Sequence, residues 1–222
     1  MRPVKTVGLA IVGALVAAAL FSAASASAVT MCTANTAEEC PAGKRIAARE
    51  YKTTIPGGTE AIINTYQNTV FKSQIKCTKS RIFFETSSMS ASPLAGTVKF
   101  FELSSCEQCK KSSVVNLSYK FGITSFAPPG TTNGNLEAVN GGGGGPIFLF
   151  EECGINICKY AATEEKMNFK VSGGEPAKLE AVSVPFQYSG GSGEVFCGDE
   201  AFFTATYNFS EPATKVYVTA KP

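Results

Sequence analysis

Apolar and polar positions alternate along most of this chain, and the clearest run lies within 194–209. There Phe203, Ala205, Tyr207 and Phe209 alternate with Thr204, Thr206 and Asn208. A period of two puts one set of side chains on each face of a half-buried strand. Similar runs are predicted at 61–66, 70–76, 81–86, 97–103 and 113–119, and then at 147–152, 157–161, 167–171, 179–186 and 215–220. No span after the first 28 residues carries a long amphipathic helical pattern; 44–51 has a short one, ended by Pro56-Gly57-Gly58. Short strands separated by Ser, Gly and Pro predict an all-β protein, a sandwich or a barrel, and the expected fold is one disulfide-linked antiparallel β-sandwich.

A faint echo runs through the pattern. Cys77 is followed by Ile82, Phe83 and Thr86 at the offsets at which Cys197 is followed by Phe202, Phe203 and Thr206. Without a gap this sets Glu85 opposite Ala205; a shift of one residue, matching Phe83 and Phe84 to Phe202 and Phe203, restores the alternation. The sandwich would then consist of two similar β halves. Between them, 127–146 is rich in Pro and Gly, with five consecutive glycines from Gly141 to Gly145, and is predicted to be a loop. Gly190-Gly191-Ser192-Gly193 is predicted to be a hairpin loop, since no Lys-Ser/Thr follows to make a phosphate cradle.

The N-terminus has Arg2 and Lys5, an uncharged apolar run at 7–21, and small residues ending in Ala26-Ser27-Ala28. This is the pattern of a secretory signal cleaved after Ala28, its apolar run short of the roughly 20 residues of a spanning helix. The expected organisation is a signal peptide at 1–28, a polar N-terminal segment at 29–58 in which the Cys32–Cys40 loop adds little core, and a β-sandwich domain at 59–222 with the Gly-rich loop 127–146. Cleavage removes two of the 20 basic residues, leaving 18 against 18 acidic ones. A neutral chain has no general attraction for nucleic acid or anionic lipid. The expected location is extracellular, with no membrane span in the mature chain.

All eight cysteines, Cys32, Cys40, Cys77, Cys106, Cys109, Cys153, Cys158 and Cys197, lie beyond the signal. An even number in an oxidising compartment reads as a disulfide framework. Cys32 and Cys40 would close a local loop. The other six allow 15 connectivities; the arrangement favoured here joins Cys77 to the Cys106/Cys109 cluster, Cys197 to the Cys153/Cys158 cluster, and the remaining member of each cluster across the halves. Two other readings compete. Cys106-Glu107-Gln108-Cys109 could be a redox dithiol, but strand rather than helix is predicted after it. Cys106, Cys109, Cys153 and Cys158 could hold zinc, at long spacing.

The chain has no histidine, which excludes Ser-His and Cys-His nucleophiles and imidazole-ligated metal. It has one aspartate, Asp199, too few for an Asp-rich calcium loop. Glu151 with Glu152 and Glu164 with Glu165 are carboxylate pairs, but strand neighbours point to opposite faces, unlike the facing carboxylates of a glycosidase. No catalytic residue, cofactor or metal is expected. Asn116 and Asn208 each begin a glycosylation sequon.

The signal, the Cys77-to-Phe84 strand, Cys158-Lys159-Tyr160 and the Cys197-to-Tyr207 strand before 215–218 together resemble a group of secreted, cysteine-containing all-β proteins of high-GC Gram-positive bacteria. The resemblance covers 69–218 and implies export and a β fold; that group has no known activity to carry over. The expected function is a secreted, non-catalytic surface-interaction protein whose partner is a cell-wall polymer or an extracellular protein. The alternative is a glycan or small-ligand binding module, with Tyr66, Tyr160 or Tyr188 stacking on a sugar. An enzyme using glutamate or thiol comes third.

Overall fold

The computed structural model describes residues 28–221 apart from 37–38, 48–49, 92, 116–118, 126–132, 141–146, 163–165 and 193. The signal expected at 1–28 thus lies, except for Ala28, outside the described residues, as do the five glycines, Glu164, Glu165 and Asn116. Strands dominate what is described, and every paired set of strands is antiparallel.

Four long strands form the frame: β4 (Val70–Thr86), β6 (Leu94–Cys106), β13 (Lys178–Gly191) and β14 (Glu200–Glu211). Shorter strands fill in around them: β2 (Glu50–Thr54), β3 (Ala61–Gln67), β8 (Tyr119–Ser125), β9 (Gly134–Asn140) and β12 (Lys166–Ser172). Pairing runs β14-β3-β4-β6-β8-β9-β12-β13 and returns to β14, so eight strands close into a barrel. This replaces the expected sandwich. The register explains why: β14 pairs β13 along one edge and β3 and then β2 along the other, which leaves no free edge to divide two sheets. β11 (Asn156–Ala162), β10 (Ile147–Cys153) and β7 (Lys111–Val115) extend from the upper part of β13 in that order, and β7 folds back against β6. A separate sheet of β15 (Tyr217–Lys221), β1 (Ala28–Cys32) and β5 (Ser90–Ala91) lies at the other end of the barrel.

The interior is packed with aromatic rings. Phe148 stacks on Phe186 at 4.3 Å and meets Phe101 and Phe203 edge-on at 5.4 and 5.3 Å. Lower down, Tyr51, Phe84 and Phe209 form a second cluster. Such contacts add about 1 kcal/mol per pair beyond area burial. Tyr207 is fully buried, and its hydroxyl donates to Ser80 Oγ at 2.7 Å while Ser80 donates to the Glu102 carbonyl at 2.9 Å. Burial pushes the Tyr207 phenol well above its ordinary pKa, so it stays a neutral donor. One hydrophobic cluster takes in residues on both sides of the glycine run, from Val29 to Val218.

Several local expectations change. The segment 29–58, expected to be polar, also contributes to the core: Val29, Met31, Ile46, Tyr51 and Ile55 are all buried, and the short helix expected at 44–51 gives way to a bridge at Arg45 and strand β2. The runs at 70–76 and 81–86 are one strand. Part of the expected loop at 127–146 is β9, which pairs on both edges despite its polar composition. Gly190 and Gly191 belong to β13, not to a hairpin loop, because they pair with Lys159 and Cys158 of β11; the approach is so close that a Cβ at Gly191 would collide with the Ile157 carbonyl. The segment leading into β14 is a helical turn, α1 (Glu194–Cys197). The shifted echo does match in phase, Phe84 with Phe203 buried and Phe83 with Phe202 half-buried, but Cys77 is in a strand and Cys197 in α1. Asn208 sits in mid-strand between Thr54 and Lys178 with its Oδ1 buried, a poor acceptor for a glycan.

Candidate functional site: the disulfide-braced end of the barrel

Four disulfides join Cys32–Cys40, Cys77–Cys106, Cys109–Cys153 and Cys158–Cys197. Cys106 and Cys109 go to different partners, so they are not a dithiol, and no thiolate remains among the eight for zinc. The first bridge belongs to the small-sheet end. The other three lie toward the opposite end, where the registers bring the first half of β4, the end of β6, the start of β7, the β10-β11 turn and α1.

That end is built from tight turns. The β3-β4 hairpin turns through Asn68 and Thr69, both at positive φ, and Asp199 holds it by accepting the Asn68 N–H at 3.2 and 3.3 Å. Asp199 itself is placed by Gly198, whose φ is +80° and where a Cβ would strike the Tyr66 carbonyl. Ser105 and Gln108 at the β6-β7 turn and Glu152 at the end of β10 also have positive φ. Of the six non-glycine residues with positive φ among the described residues, five are therefore at this end, and Ser183 at the β13 bulge is the sixth. Such conformations cost about 1–3 kcal/mol each and persist only where surrounding structure enforces them. Here the Asp199 contact holds the Asn68 turn, while Ser105, Gln108 and Glu152 each lie within one residue of a bridged cysteine.

The same end exposes apolar surface. Val70 and Phe71 at the start of β4, Ile155 in the β10-β11 turn and Phe196 in α1 are exposed, Ile155 by 96%. Tyr66 meets Phe71 and Phe202 edge-on at 5.8 and 5.5 Å, extending the apolar surface down the barrel wall. Among the described residues two other large apolar side chains are exposed, Met89 and Val182, and neither lies here.

Glu151 and Glu152 occur at the rim of this end, with Lys111, in an open cleft of about 290 Å³. The positive φ at Glu152 breaks the alternation that would have sent the two carboxylates to opposite faces. Lys111 lies 2.6 Å from Glu152, and this ion pair holds the Glu152 carboxyl below its ordinary pKa and raises Lys111. No protein-family model, curated protein or solved structure matches the chain.

Of the tyrosines considered as sugar platforms, Tyr160 is fully buried, its hydroxyl donating to the Cys197 carbonyl, and Tyr188 packs edge-on against it half-buried. Tyr66 belongs to the aromatic group at the braced end. Sequence reasoning did not single out Phe71, Ile155 or Phe196. The available signal was the short Gln67-Asn68-Thr69 connection between two alternating runs, which is a hairpin pattern with Val70 and Phe71 just past its tip.

Proposed function

We propose that the protein is an exported, non-catalytic binding protein that contacts another extracellular surface, a cell-wall polymer or a surface protein, through the disulfide-braced end. One observation carries the reading. Three disulfides, five strained backbone positions and four exposed large apolar side chains coincide at one end, while the other end carries the small sheet. Exposed apolar side chains cost solubility, and holding them on strained turns costs folding energy, so their coincidence on a cross-linked scaffold favours a binding role. Rigid presentation lowers the ordering cost of association. Four disulfides and the lack of a membrane-spanning helix among the described residues are consistent with an extracellular protein.

The test is co-sedimentation of the secreted protein with the insoluble envelope of the cells that make it. Phe71→Ser, Ile155→Ser and Phe196→Ser are expected to lower retention about tenfold or more, as loss of an interface anchor does, while Val182→Ser on the barrel flank leaves it unchanged. Equal retention of all four variants would overturn the proposal.

A further inference from the structure

A second feature lies on the barrel wall, below the Cys77–Cys106 bridge. β4 pairs β3 as far as Cys77 and β2 from Arg81, and at the changeover its alternation slips: Thr78 and Lys79 are both exposed before Ser80 turns inward. The slip leaves an open cleft of about 500 Å³ between the end of β2 and β6, within the roughly 300–1,000 Å³ of small-ligand sites. Its lining is polar, with hydroxyls from Thr54, Thr78 and Ser104 beside Lys79, Arg81 and Glu102.

Arg81 is fixed in place. Its Nε and Nη2 both donate to Glu102 Oε2, the former at 2.8 Å, while Ser104 donates to Oε1 at 2.8 Å. Its guanidinium also lies 5.8 and 5.6 Å from the Phe83 and Phe100 ring centres, and these rings stack on each other at 5.0 Å. Two of the five N–H groups of the fork are used on Glu102, so three remain for a ligand. Glu102 balances Arg81, and Glu211 at 2.7 Å balances the neighbouring Lys52. Lys79 has no ion pair among the described residues, so the lining carries one uncompensated positive charge beside a preorganised planar donor.

We propose that this cleft binds an acidic saccharide: its carboxylate meets Lys79 and the free N–H groups of Arg81, and its hydroxyls meet Thr54, Thr78 and Ser104. The lining has both parts of that chemistry, hydroxyl partners for a polyol and a cationic pair for a carboxylate. The site is separate from the apolar end, so either can fail without the other.

Calorimetric titration of the oxidised protein with trigalacturonic acid tests it, with maltotriose, citrate and inorganic phosphate as comparisons. Saturable binding of trigalacturonic acid is expected, weakened at high salt. Arg81→Gln and Lys79→Gln should each lower affinity about tenfold, and Phe71→Ser should leave it unchanged. Lys79 is exposed and outside any ion pair among the described residues, so its variant keeps the fold and decides the matter if Arg81→Gln is unstable. Undetectable binding, unaltered affinity in Lys79→Gln, or maltotriose, citrate or phosphate binding as tightly as the trimer would each overturn the proposal.

Discussion

Removing the Cys109–Cys153 bridge should cost clearly more than removing Cys32–Cys40, and the loop lengths say by how much. The bridge closes a loop with a sequence separation of 44, against 8 for Cys32–Cys40. In the chain-entropy description the stabilisation grows as the logarithm of loop length, giving about 4 kcal/mol for the long loop and about 2.5 kcal/mol for the short one. The long loop contains the Pro- and Gly-rich stretch, whose unfolded chain has the most freedom to lose. Cys32 and Cys40 are as buried as Cys109 and Cys153, so the void left by alanine adds similarly to both losses and does not change their order. The assay is urea unfolding of Cys109→Ala/Cys153→Ala and of Cys32→Ala/Cys40→Ala, each against the parent. With a slope of about 2 kcal/mol/M, the midpoint of the first should fall by about 2 M and that of the second by little more than 1 M. Equal losses, or a larger loss for the short loop, would refute the view that constraint of the unfolded chain is what this bridge contributes.

Two further outcomes follow from the barrel wall. Tyr207→Phe removes a buried donor while Ser80 keeps its bond to the Glu102 carbonyl, so a loss of about 1 kcal/mol is expected in the same urea assay; a loss above about 3 kcal/mol would mean that the hydroxyl does more than bond to Ser80. The Arg81 guanidinium holds the Glu102 carboxyl below its ordinary value of 4.5. A carboxyl depressed in the folded state stabilises above that value, and the contribution is lost as pH falls through the folded pKa. The urea midpoint should therefore drop below about pH 4.5, and Glu102→Gln should flatten that drop; identical pH profiles would count against the pair contributing to stability.

The alternation of Phe203, Ala205, Tyr207 and Phe209, and of Met167, Phe169 and Val171, was legible because a strand's period is local: each side chain needs only its second neighbour to declare a face. Those residues are buried in β14 and β12. The cysteine count likewise announced a cross-linked chain. Closure into a barrel could not be read, since which edge of β14 meets β3 depends on residues more than a hundred positions apart, and a sandwich and a barrel share the same alternation. β9 escaped notice for the same reason: Gly134-Asn135 looks like turn, and only partners on both edges make it strand. β1 and β2 were hidden by a polar setting, although Val29, Met31 and Tyr51 find their core only when the chain ends meet and when β4 and β14 leave a gap. The braced end is the extreme case. Phe71, Ile155 and Phe196 are ordinary apolar residues in three distant segments, and only tertiary pairing brings them to one end. The sequence by itself determined strand content and cross-linking, which are local or compositional; tertiary structure decided which segments share an end, because that rests on long-range pairing that no local pattern encodes.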